Sequence, residues 1–443
     1  MNVRKIWLKL KQGKKLGSHK SVMASSRSSC EHPGNRRRRG SVDNVFSHKP
    51  IETVADAQRR AKRKLPKAVY TSIVAGNESG TTIKSNVEAF KLVEFVPRIG
   101  AQVTPEREMG TSLLGQDIDL PVVISPAGAQ ALHPEGEVAV ARAAASAGTA
   151  IGHSNFAPTR FEDVAAANSK SFVQLYWSGS RELLAERVER FRRAGAKGLI
   201  LTLDNAGVTA RDWGTPVIPQ RIDLPTLIRY SPMGMGNPTW VMRFLRNGKL
   251  PDLGVPNLQH PGKPVPSMVE GMVEWLGTPV PTWRDVAWLA EVWGGPLMVK
   301  GILSADDARR AVDSGATAIG VSNHGGNNLD TTPSPLRFLP AVVDAVGDQA
   351  EITFDSGIRR GADVVKALAL GAKAALIGRS WFFGLAADGE RGVREVLEAY
   401  RVSIDRTLLG LGKSSIHELT PDDVIAPKGY FLDTAPEVEM ASI

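Results

Sequence analysis

The feature that most restricts how this chain can fold is a repeat of pattern, not of sequence. Eight short apolar runs, each as long as a buried strand, alternate with segments of helical periodicity. The runs are residues 121–126 (PVVISP), 149–154 (TAIGHS), 172–177 (FVQLYW), 198–204 (GLILTLD), 297–301 (LMVKG), 319–323 (IGVSN), 352–357 (ITFDSG) and 374–379 (AALIGR). Between them, 137–147, 181–194, 305–314 and 362–370 read as helices, each followed by glycine. Strands without polar alternation are covered on both faces, and a helix between successive strands makes the sheet parallel. Eight such units predict an α/β protein, a (β/α)8 TIM barrel. The alternative is a doubly wound open sheet, and no early G-x-G-x-x-G turn supports it.

What lies outside the repeat sets the domain plan. Residues 1–50 hold 13 Lys and Arg against Glu31 and Asp43, a charge of +11, so with +9 overall the rest of the chain carries −2. This basic stretch buries too little apolar surface to offset its ordering entropy and is expected to be a disordered tail. No apolar core of signal-peptide length follows Arg36–Arg39. A helical pattern then runs from Ile51 to a stop at Gly76. The barrel is expected over 51–430, with 431–443 as a C-terminal tail. Residues 205–282 form a long Pro/Gly-rich insertion after the fourth run, read as a lid over the active site, with a solvated insertion as the alternative. Membrane contact through its Ile228, Trp240, Val241 and Phe244 is a further reading. No apolar run approaches the roughly 20 residues of a transmembrane segment. The single cysteine, Cys30, excludes an intramolecular disulfide framework and a Cys-rich metal site, and fits a reducing, cytoplasmic compartment.

In a parallel barrel, chemistry sits where the strands end. There this sequence places Ser125-Pro126-Ala127-Gly128, Ser154, Gln174 and Tyr176, Thr202 and Asp204 with Arg211 beyond, Lys300, Ser322 and His324, Asp355 to Arg359, and Gly378-Arg379. Gly357, Gly378, Arg359 and Arg379 suit a phosphomonoester. Ser154, Gln174 and Thr202 can hydrogen-bond an amide-rich heteroaromatic ring, and Lys300 can neutralise negative charge on it after reduction.

Eight motifs in order give this set a family resemblance: LPKAVY (65–70), HPEGE (133–137), QLYW (174–177), LTLD (201–204), VKG (299–301), SNHGG (322–326), DSGIRRG (355–361) and IGR (377–379). Over residues 52–425 the chain resembles the FMN-dependent α-hydroxy-acid oxidases and dehydrogenases. The resemblance implies FMN as cofactor, held by Pro126, Ala127, Gly128, Ser154, Gln174, Thr202, Lys300, Ser322, Asp355, Gly357, Arg359, Gly378 and Arg379. It implies His324 as catalytic base paired with Asp204, and Tyr176 and Arg211 facing the substrate. It also implies a homo-oligomer and either O2 or an electron carrier as oxidant. No metal and no nucleic-acid partner are expected.

Two departures refine the expected substrate. Where the family has a carboxylate-binding Tyr, two residues after LPKAVY, this chain has Ser72. Where it has an Arg three residues after the base, this chain has Asn327. A lost charge-assisted fork weakens carboxylate binding by about 1.5–3 kcal/mol, whereas an amide side chain suits a neutral lactam. With GGNNLD (325–330), RDWGTP (211–216), PVPTW (279–283) and WGGP (293–296), the chain is similar to one branch of the family. The likeness implies oxidative deamination of a peptide-derived 3-amino-pyrrolidinone, a small-molecule substrate, to an α-keto lactam. An L-2-hydroxy-acid oxidase or dehydrogenase is the alternative.

Overall fold

The computed structural model describes residues 49–204, 210–214, 219, 224–248 and 250–432. The basic tail up to residue 48, parts of the insertion, and the C-terminal tail from 433 lie outside the described residues. The expected barrel is present. Its strands are β1 (Val122–Ile124), β2 (Ile151–Ser154), β3 (Ser171–Tyr176), β4 (Gly198–Thr202), β5 (Leu297–Ile302), β6 (Ala318–Val321), β7 (Glu351–Phe354) and β8 (Ala374–Ile377). All are parallel and neighbour one another in chain order, and β8 returns to β1 through Ala375↔Val122, Leu376↔Val123 and Ile377↔Ile124. Almost every strand residue is buried, which is why each strand reads as a continuous apolar run.

Among the described residues three helices precede the barrel: α1 (Val54–Lys64), α2 (Lys67–Val74) and α3 (Thr81–Ala89). The helical pattern from Ile51 to Gly76 is thus two helices, not one. Pro66 forces Leu65 into extended backbone and ends α1. On the barrel flanks lie α4 (Gly136–Ser146), α5 (Phe161–Ala167) and α6 (Arg181–Arg193). The insertion, which reads as a loop, carries α7 (Leu224–Met235), α8 (Pro238–Arg246) and α9 (Met268–Leu276). Then come α10 (Trp283–Trp293), α11 (Ala305–Asp313), α12 (Leu339–Val346), α13 (Gly361–Ala369) and α14 (Arg379–Leu411), the last broken at Asp388 and Gly389. Among the described residues no helix is long and apolar enough to cross a membrane. Trp240 and Phe244 face inward, 7% and 4% exposed, and pack against each other with their rings tilted, whereas Ile228 is 65% exposed.

One mouth of the barrel is stoppered. The hairpin of Thr111–Leu113 and Gln116–Ile118 drives Leu113, Leu114 and Ile118 against Val123, Phe172, Ile200 and Met298 inside the barrel. The Leu114 N–H is held by the Glu351 carboxylate at 2.7 Å, at the start of β7. The opposite rim, where the strands end, is left for the site.

The loop after β6 is fastened to the start of the chain. Asp330, buried, accepts hydrogen bonds from Thr82 N (2.8 Å), Thr81 N (3.2 Å) and Ser79 Oγ (2.7 Å), and so caps α3. Asn77 N donates to Gly326 O at 3.1 Å. Gly326 sits at φ +74 under α3, where a Cβ would lie 2.6 Å from Ile83 N, so only glycine fits. Although burial opposes it, the donors around Asp330 hold its carboxyl well below the usual range. Asp330→Ala should therefore cost about 2 kcal/mol of stability, read as a lower denaturant midpoint. Because the folded pKa is depressed, this contribution is present above about pH 4 and fades as the pH falls below that. A midpoint difference between wild type and variant that stays constant from pH 7 to pH 3 would contradict it.

Candidate active site

His324, Asp204 and Tyr176 are brought together from three strand ends. His324 follows β6 at φ +56, a left-handed conformation that non-glycine residues rarely adopt and that the surrounding loop enforces. Its Nδ1 lies 3.0 Å from Asp204 Oδ1, beyond β4, and its Nε2 lies 3.3 Å from the Tyr176 hydroxyl at the end of β3. Gly301, at φ +108 after Lys300, makes the Asp204 approach possible, since a Cβ there would fall 2.4 Å from Asp204 Cβ. Burial would raise the Asp204 pKa, but the His324 imidazole and Lys300 outweigh it and the carboxyl is held low. Asp204 is therefore the ionised partner that orients His324 and stabilises its protonated form. Burial, with the Asp204 charge, pushes the Tyr176 phenol up, so it stays a neutral donor.

A second cluster lies beside it. Lys300 Nζ is 2.9 Å from Asp355 Oδ2 and donates to Ser322 Oγ at 2.8 Å, while Ser322 Oγ donates to Asp355 Oδ1 at 2.6 Å. Burial disfavours the Lys300 ammonium, but Asp355 and Asp204 more than offset it and its pKa is raised. The ammonium is thus a fixed buried cation. Arg359 and Arg379 have no carboxylate ion pair among the described residues; Arg379 instead donates to Ile73 O (2.9 Å) and Gly325 O (2.8 Å). Burial, and then repulsion from Arg359 and Arg211, press Arg379 down to about 9. Two half-buried cations without a carboxylate partner among the described residues, on one rim, suit an anion.

The remaining expected residues gather on the same rim. Ser154, Gln174 and Thr202 are buried at the ends of β2, β3 and β4, and both polar atoms of the Gln174 amide lack a partner among the described residues. Pro126, Ala127 and Gly128 follow β1. Gly357 follows β7, and Gly378 precedes α14. Arg211 is brought in by a bridge to Glu78, just before α3, and its Nη2 donates to Asn327 Oδ1 at 3.0 Å. Ser72 is placed differently from a ligand-binding hydroxyl: its Oγ donates back to Val69 O at 2.7 Å. What it contributes is space.

Trp275 in α9 had no role assigned in the sequence. Its ring lies 5.4 Å from Tyr176 and 6.2 Å from Phe156, closing an aromatic wall beside His324. Neighbouring Glu274 clamps α9 to the barrel, accepting from Ser178 Oγ and Arg187 Nη2, each at 2.9 Å, with His260 Nε2 2.6 Å from its other oxygen. The aromatic density of the insertion was the available signal, but no spacing ties Trp275 to a Tyr 99 residues earlier.

A family model described as FMN-dependent dehydrogenase matches residues 61–426. The chain belongs to that family. Among its relatives, the pre-mycofactocin synthase of Mycobacterium tuberculosis is 54% identical over 384 residues, spanning 86% of this chain and 96% of that protein. The Mycolicibacterium smegmatis protein of the same name is 51% identical over 380 residues, 86% and 95% of the two chains. The glycolate oxidase of Spinacia oleracea is 37% identical over 378 residues, 85% and 96%. A crystal structure described as the monotopic membrane protein (S)-mandelate dehydrogenase superposes with a TM-score of 0.75 at 33% identity, over 85% of this chain and 100% of that one. Members of the FMN-dependent dehydrogenase family are flavin oxidoreductases, and this chain is one. Its rim fits the flavin. The unsatisfied Gln174 amide matches a ring rich in donors and acceptors, buried Lys300 suits charge on that ring, and Arg359 and Arg379 suit a phosphate.

Proposed function

We propose that this enzyme oxidatively deaminates the 3-amino-pyrrolidinone mycofactocin precursor to its α-keto lactam, a reading supported by its likeness to proteins named pre-mycofactocin synthase. The observation that carries this reading is the pairing of Asn327 with Arg211. Asn327 Oδ1 is occupied by the guanidinium, so its Nδ2 is the group left to donate to a lactam carbonyl. FMN, when bound, supplies the two-electron acceptor. His324 Nε2 would take one N–H proton of the amine while the hydrogen on the adjoining carbon leaves with its electron pair to that acceptor, which leaves C=NH; Nδ1 keeps its contact with Asp204. Tyr176 donates its hydroxyl hydrogen bond beside that proton, and Lys300 balances negative charge on the reduced cofactor. Water adds to the imine, and ammonia leaves as C=O forms. O2 or an electron carrier then takes the electrons onward. The described part of the insertion, α7 to α9, acts as a cover over this centre.

A 2-hydroxy-acid oxidase or dehydrogenase is the second reading, favoured by Arg211 at the rim and by the likeness to glycolate oxidases. The deciding experiment is anaerobic bleaching of the purified flavoprotein near 450 nm. The amino-lactam should bleach it fast, and glycolate, L-lactate and L-mandelate slowly. Fast bleaching by a hydroxy acid with none by the lactam would hand the protein to the second reading.

A further inference from the structure

Arg211 begins a tight turn, Arg211-Asp212-Trp213-Gly214, closed by Gly214 N donating to Arg211 O at 2.9 Å with Gly214 at φ +89. The turn lies on the segment before α3. Arg211 bridges Glu78, and Asp212 N donates to Glu78 O at 3.0 Å. Its third residue reaches one step further. The Trp213 indole sits over Gly80, so close that a Cβ on Gly80 would fall 2.8 Å from Nε1 and 3.5 Å from Cε2. Gly80 stands at φ +72 at the N-cap of α3, so its backbone and its missing side chain together make the seat. Trp213 is still 61% exposed and adds little buried area to the core. What the seated ring gives is a fixed position for the turn.

Residues 77–82 therefore carry two loops at once. Asn77, Ser79, Thr81 and Thr82 tie down the loop after β6, and Asn328 Nδ2 of that loop donates to Asp204 O at 2.9 Å. Glu78 and Gly80 take the Arg211 turn. Arg211 and Asn327 lie 116 residues apart in the chain, yet meet at 3.0 Å because both loops rest on this one segment. The two sets of ties share no residue. Removing the indole from its seat loosens the Arg211 turn and leaves the His324 loop with its own anchors.

We infer that Trp213, seated on Gly80, is a positioning residue that sets Arg211 against Asn327 and so fixes the pair that meets the substrate carbonyl. The inference rests on the proposed place of that pair at the substrate, and names what holds it there. A side chain that organises contacts already complete in the ground state, away from the imidazole that takes the proton, acts on KM and leaves kcat.

The test is a double-mutant cycle of Trp213→Ala and Gly80→Ala in flavin-loaded full-length enzyme. Its substrate is the amino-lactam, or L-lactate if anaerobic bleaching shows that only hydroxy acids reduce the flavin. Trp213→Ala should raise KM about tenfold, the scale of one charge-assisted hydrogen bond, with kcat changed less than about twofold. Gly80→Ala should do the same, because its methyl group displaces the indole. Added to Trp213→Ala it should raise KM by less than about twofold more, since both changes act through one contact. Trp213→Phe keeps a ring on the seat and should recover most of the loss. Calorimetric titration of the oxidised enzyme with the lactam lacking its 3-amino group should rank the variants in the same order. Alanine at φ +72 is strained whatever faces it, so Gly80→Ala should lower the thermal midpoint in both backgrounds, a structural loss separate from the coupling in KM. If Gly80→Ala does not fold, Trp213→Ala against Trp213→Phe decides alone. Additive effects of the two alanines on KM, or an unaltered KM in Trp213→Ala, would overturn the inference. Either result leaves the bleaching comparison, and with it the choice of substrate, untouched.

Discussion

Asn327→Arg should turn the enzyme away from its lactam and toward 2-hydroxy acids. The new guanidinium would stand beside Arg211, whose Nη2 now donates to Asn327 Oδ1 at 3.0 Å. Burial already lowers the pKa of Arg211, so a second cation needs an anion between them. A substrate carboxylate supplies it and a neutral lactam does not. A charge-assisted hydrogen bond contributes about 1.5–3 kcal/mol, so kcat/KM for L-lactate should rise roughly 10- to 150-fold. The lactam should lose at least about tenfold, because the amide donor is gone and repulsion remains. Steady-state rates on both substrates, with flavin content matched, read the result. An unchanged ratio of the two would refute the pairing of Asn327 with an amide.

Asp204→Asn should slow anaerobic flavin reduction about 1,000-fold without loss of flavin. The carboxylate orients the His324 ring through Nδ1 at 3.0 Å and stabilises its protonated form, and an amide does neither. The partnerless Asp204 Oδ2 shows how little else competes for that carboxylate among the described residues. His324→Gln should be as slow, and the double variant scarcely slower than either, since the two side chains act as one unit. A loss below tenfold in either single variant, seen by stopped-flow reduction with saturating substrate, would mean the proton goes elsewhere.

The barrel was legible because burial on both faces removes polar alternation, and all eight runs coincide with strands. That the candidate residues would share one rim was legible for a related reason: strand ends are marked by the change from apolar to polar and glycine-rich sequence, and closure brings them together. Two things hid from local reading. Pro66 stands within an otherwise helical pattern, and the continuity of that pattern masked the break between α1 and α2. The insertion hid its helices because α7 holds Pro232 and α8 is stabilised by docking Trp240 and Phe244. Capping signals were nevertheless present, Asn237-Pro238 before α8 and the Ser267–Glu270 capping box of α9, and the surrounding Pro and Gly masked them. Asp330 could be seen as an acid after GGNNL, but its partners Ser79, Thr81 and Thr82 lie about 250 positions earlier, and only the fold joins them.

That joining makes the imidazole dependent on both halves of the chain. The loop that carries His324 is tied at Gly326 and Asp330 to residues 77–82, which the ribosome delivers some 250 residues sooner. A nascent chain can pair its early strands long before any base exists. Conversely, a truncation that removed α1 to α3 and spared all eight strands would leave the histidine loop without its anchor. Positioning of the His324 loop thus waits on the meeting of two distant segments, and a chain that lacks either residues 77–82 or residues 326–330 has no fixed imidazole at the rim.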